Sequence, residues 1–209
     1  ASASTFTISG DYTGVYKPST LLKFTQTTPK YATVVSSSYS APNTTVTIAV
    51  NTDYTIANAA ITSPYYSYIN VADHPLLYNF SPSWTNLTVG NGTLVSKYAL
   101  EGKWASGHVN LVYGSTTSIS GAVSFATPVA AGTYGGAYSS VGNVSMIDPG
   151  VALYMGAAVL RIATQVIEVR VINSASTYAA WNAISATVPF TWAVTTNPDS
   201  LDINFRYHT

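Results

Sequence analysis

The chain has 209 residues, of which 47% are hydrophobic and only 8% charged; eight basic and eight acidic side chains leave no formal net charge. A neutral chain lacks the long-range attraction to phosphates that nucleic-acid binding needs, and no apolar run reaches the ~18 residues of a membrane-spanning helix. With no cysteine, the fold must be held by core packing, a metal or oligomerisation rather than by disulfides.

The charge content is about a third of that of a typical soluble domain. Ser, Thr, Asn, Gly and 16 Tyr stand in its place. Charge keeps proteins apart in solution, so a surface this poor in it is expected to be largely buried in an assembly. The chain opens at Ala1 without Met and shows no signal-peptide pattern, which reads as processing or as a piece of a longer protein.

In chain order, residues 4–8, 21–26, 31–39, 45–50 and 65–69 read as short strands. Turn clusters separate them: Gly10 with Asp11, Lys17 with Pro18, Pro29 with Lys30, and Ala41, Pro42 and Asn43. Residues 56–61 are the one stretch that suggests a helical turn. Asp73, His74-Pro75 and Ser81-Pro82 interrupt regular pairing over 71–82, which reads as a linker between domains.

Beyond it, residues 94–100 alternate up to Glu101 and Gly102, a tight hairpin turn, and 104–113 return. Residues 151–160 are continuously apolar, as in a strand buried on both faces. Ile167, Val169 and Val171 alternate with Glu168 and Arg170. Leu201, Ile203, Phe205 and Tyr207 alternate with Asp202, Asn204 and Arg206. Such alternation marks antiparallel strands with one buried and one polar face. The expected fold is all-β: a small N-terminal β-barrel or sandwich module over 1–70, the linker 71–82, and a jelly-roll-like antiparallel β-sandwich over 83–209.

Two segments carry a family likeness. Residues 6–68, and within them KFTQTTPKYATVV and YSAPNTTVTI, resemble a small β-module of phage tail and virion structural proteins. Residues 81–129, with the closing TVPFTW of 187–192, are similar to the C-terminal domain of phage minor tail proteins and tail fibres. The resemblance implies a structural part of a bacteriophage virion, tail-fibre-like or minor-tail-like and exposed on the particle surface. It also implies a homotrimer that contacts other virion structural proteins. A capsid decoration or head-fibre protein is built from the same modules, and a cellular extracellular filament subunit would share the composition.

Catalytic and metal signatures are missing. His74, His108 and His208 stand alone, without the ligand spacing of a zinc site. No nucleophile elbow, phosphate loop or calcium loop occurs. No pairing of the eight carboxylates of the kind a glycosidase uses is visible in the sequence, and the long repeats of glycan-cleaving tailspikes are missing, which leaves a glycan-cleaving enzyme as the third rival reading. The chain therefore reads as a non-enzyme with no metal and no cofactor.

The strongest binding signal is aromatic. Tyr beside Ser, Gly and Asn supplies stacking faces and adaptable hydrogen bonds, a composition suited to sugar recognition. In turn-rich stretches this singles out Tyr134, Tyr138, Tyr178 and Trp181 as candidates for a host surface glycan. The alternative is that these rings pack cores and subunit interfaces. The sequons at Asn43, Asn79, Asn86, Asn91 and Asn143 discriminate nothing in a chain this rich in Ser and Thr.

Overall fold

The computed structural model describes residues 4–173, 180–194 and 196–209. The chain is all-β, as its alternating patterns predict. It divides into two compact units: Ala1–Ser81 with Tyr98–Ala105, and Pro82–Lys97 with Ser106–Thr209.

In the first unit, β1 (Thr5–Ser9), β2 (Leu21–Gln26), β3 (Thr28–Ser40), β4 (Asn43–Ile48) and β5 (Thr62–Ser67) form an antiparallel sheet. Its order is β1-β4-β3-β2-β5. The long β3 pairs with β2 through its first half and with β4 through its second, with a bulge between Val34 and Ser36. A bulge bends and twists its strand, so the two halves of the sheet share one core. Phe6, Val46 and Ile48 enter it from one half, and Leu22, Phe24 and Ala32 from the other.

Two local expectations fail in this unit. Pro29 and Lys30 lie inside β3 rather than in a turn; Thr27, at positive φ, makes the reversal instead. Residues 56–61 form no helical turn. The buried Gln26 amide donates to the Ala57 and Ala59 carbonyls and accepts from the Ala57 N–H, so its side chain satisfies backbone groups that a helix would have paired internally.

Further along this unit, β6 (Tyr78–Asn79) carries the buried Tyr78. Its hydroxyl lies 3.1 Å from that of Thr33, and burial pushes the phenol up to about 12. The buried His74 places a ring nitrogen 3.2 Å from the Ala32 carbonyl oxygen.

The remaining strands are β7 (Trp84–Thr88), β8 (Thr93–Glu101), β9 (Trp104–Val112), β10 (Ser118–Ala126), β11 (Tyr138–Asp148), β12 (Ala152–Arg161), β13 (Val166–Asn173), β14 (Ala180–Ala183) and β15 (Ser200–His208). With β6 they make a curled ten-stranded sheet in the order β6-β8-β9-β15-β11-β12-β13-β10-β7, with β14 on β13. This agrees with an all-β sandwich. The turn between β8 and β9 places Gly102 at φ 62, the left-handed region that the Glu101-Gly102 pair predicts.

The last strand lies between β9 and β11, and Leu201, Ile203, Phe205 and Tyr207 are all buried. In β12 burial on both faces holds for the second half of the strand and fails for the first. Ala157, Ala158 and Leu160 are buried, but Leu153 and Met155 are 61% and 47% exposed. The run is covered on both faces around Gly156, Ala157 and Ala158, while in the first half Leu153 and Met155 leave one face open.

Candidate functional site

The first unit holds a cleft of about 580 Å³, within the ~300–1,000 Å³ range of small-ligand sites. It lies where the sheet ends: Phe6, Thr7 and Ile8 of β1 and Pro64, Tyr65 and Tyr66 of β5 line the same space. The floor is Phe6, Leu22, Phe24 and Tyr16, all buried side chains of the unit's core. The rim is tyrosine: Tyr12, Tyr65 and Tyr66 are exposed, the last two by 67% and 54%.

Local hydrogen bonds build the walls. Thr13 donates through its N–H and its hydroxyl to Asp11 Oδ1, at 3.0 and 2.7 Å, and these bonds hold the exposed Asp11 carboxyl below the usual carboxylate range. The Tyr12 N–H donates to Thr44 Oγ1, which donates in turn to the Gly10 carbonyl. The Val15 and Tyr16 N–H groups both return to the Tyr12 carbonyl, a tight turn that aims Tyr12 and Val15 at the cleft. Phe6 meets Tyr16 edge to face at 5.9 Å, and burial raises the Tyr16 phenol. On the opposite wall, Gln26 fixes the loop that brings in Ala59 and Ala60.

None of the lining side chains carries a formal charge. The chemistry on offer is an apolar floor, phenol hydroxyls at the mouth and the backbone of two strand ends. That suits an uncharged apolar group with a polar edge.

The residues singled out in the sequence lie elsewhere. Tyr138, 51% exposed, begins β11, with the Arg161 guanidinium 5.5 Å from its ring centre. Tyr134 is half-buried and its hydroxyl accepts the His208 N–H at 2.6 Å. Trp181 stands on β14 opposite Ile172 and is 47% exposed. Tyr178 lies outside the described residues. Tyr134, Tyr138 and Trp181 line neither the cleft nor a shallower depression of about 320 Å³ in the second unit, edged by Ser106, Asn143 and Arg206.

Sequence reasoning missed the cleft. Its signal is Tyr65, Tyr66 and Tyr68, in a stretch that reads only as a strand, with Tyr12 and Tyr16, whose convergence depends on strand order.

His108 Nε2 and Asp202 Oδ2 lie 2.7 Å apart, and Asn110 and Asn204 both donate to the same carboxylate. This is a polar network across neighbouring strands β9 and β15. Among the described residues no three His, Cys, Asp or Glu side chains converge as a metal site would need. No protein-family model, curated protein or solved structure matches this chain.

Proposed function

We propose that this chain is a structural protein of a bacteriophage virion, of tail-fibre or minor-tail type, displayed on the particle surface and assembled as a homotrimer with other virion proteins. The observation that carries the assembly is one apolar face of the second unit. Ile147 pairs with Leu153 across β11 and β12, the β12–β13 register sets Met155 beside Ile172, and Ile172 pairs with Trp181 across β13 and β14. All five side chains are exposed. A contiguous apolar surface on a chain this poor in charge marks a contact with other protein.

Within this reading Trp181 belongs to the assembly face. Of Tyr134, Tyr138 and Trp181, Tyr138 is the most exposed, and Arg161 beside it can donate to sugar hydroxyls of a host glycan. Light scattering tests the assembly. A particle of three 22.0 kDa chains is expected, and Leu153→Glu is expected to dissociate it. A monomer stable at micromolar concentration would contradict it. Tyr138→Ala is expected to weaken attachment to host cells without changing the melting temperature.

A further inference from the structure

The cleft of the first unit has a feature that a small-molecule pocket does not need: one of its walls is the open edge of a strand. We propose that it receives an extended, uncharged strand of a partner protein chain, which adds to β1 and places its apolar side chains in the cleft. This goes beyond the virion reading and does not depend on it.

Backbone parity supports the edge. The Ile48 N–H donates to the Ser4 carbonyl and the Gly10 N–H to the Pro42 carbonyl. Between these two bonds the register runs Phe6↔Val46 and Ile8↔Thr44. Hydrogen-bonded pairs alternate along an antiparallel ladder, so Phe6 and Ile8 bond to β4. The N–H and C=O groups of Thr7 and Ser9 then point away from the sheet. Both residues are exposed, β1 ends the sheet order, and Thr7 lines the cleft.

The facing end, β5, is poorly suited to pairing. Pro64 has no N–H to offer, and the β2–β5 register is broken between Lys23 and Thr25. Pairing therefore falls to β1.

Charge selects the occupant. With no charged side chain in the lining, a charged residue entering the cleft would lose hydration with nothing to replace it. A strand alternating small hydroxyl and apolar residues meets both demands: main-chain bonds to Thr7 and Ser9, and apolar contact with Phe6, Ile8 and Tyr66. Strand addition of this kind takes affinity from the backbone and selectivity from alternate side chains.

The test uses a capped synthetic peptide copying Asn43–Ile48, the uncharged β4 sequence that already pairs with the other edge of β1. A second peptide is identical but N-methylated at alternate amides, which removes its donors and keeps its side chains. With the intact chain, the first peptide is expected to slow amide exchange at Thr7 and Ser9 by at least about tenfold, and the methylated one to have no effect. Thr7→Pro deletes an outward N–H while sparing the bonds of Phe6 and Ile8, so it is expected to keep the melting temperature and lose the peptide. Equal binding of both peptides, or of peptide to a folded Thr7→Pro chain, would overturn the proposal in favour of simple apolar filling. No binding at millimolar peptide, or binding only of the neutral dye N-phenyl-1-naphthylamine, would overturn it too. If Thr7→Pro does not fold, the methylated peptide on the unaltered chain decides.

Discussion

Two buried tyrosines of the second unit show how one hydroxyl contributes with opposite sign. Tyr207 is fully buried; its hydroxyl donates to the Val129 carbonyl at 2.7 Å and accepts the Val129 N–H at 3.2 Å. Tyr113 is also buried and stacks on Trp192 at 5.1 Å, but its hydroxyl has no partner among the described residues. Burial raises both phenols. Tyr207→Phe strands a backbone pair and is expected to cost about 1–3 kcal/mol, while Tyr113→Phe removes an unpaired polar atom and is expected to be neutral or stabilising. Thermal melts of the two variants check this contrast. The buried Asp199 carboxyl is raised by desolvation, offset in part by the Ala193 N–H that donates to it at 2.5 Å and reinforced by the charge of Asp148. A carboxyl raised on folding stabilises fully below its unfolded pKa, and that stability is lost as pH rises through the folded value. Asp199→Asn is therefore expected to melt above the unaltered chain near neutral pH, with the gap closing as pH falls toward about 4. Equal gaps at both pH values would contradict it. At this scale the sequence was least informative: Tyr134 and Trp181 are aromatic residues in turn-rich sequence, yet one ties down the chain end and the other sits on a sheet face.

Strands were the most legible elements, because alternation is a local property. Residues 21–26 and the final strand stand where their patterns put them. Continuous apolarity in β12 was right for its second half only, because period alone does not say how far along the strand both faces stay covered. Pro29 misled because it stands next to the start of β3, in the half that only β2 flanks, where a strand tolerates proline as an edge does. β15 supplies four buried side chains, each worth about 1.5–3 kcal/mol, and it bridges β9 and β11. That sum rivals the stability of a whole domain, so deleting residues 201–209 is expected to abolish cooperative melting. A soluble deletion with an unchanged melt would contradict it. Gly142 tests the neighbouring ladder. It sits at the β11 bulge, where an added Cβ would run into the Asn204 carbonyl of β15. Gly142→Ala is expected to destabilise by about 1–3 kcal/mol, readable from the denaturant midpoint.

For the whole molecule, the sequence foretold an all-β chain, but not where its cleft and its open apolar face lie. The cleft exists because strands far apart in sequence, β1 and β5, become the two ends of one sheet. The apolar outer face exists because β11 to β14 align in register. Neither follows from any single window of sequence. The cleft lining is uncharged, whereas the apolar outer patch is bordered on its own face by the Glu168–Arg170 ion pair. On the proposed reading this chain is a surface part of a virion. Imaging of the intact particle with antibody directed to the second unit tests it most directly. Label on fibre or tail density in threefold clusters is the expected result, and particles free of label while the chain stays with the cell fraction would contradict it.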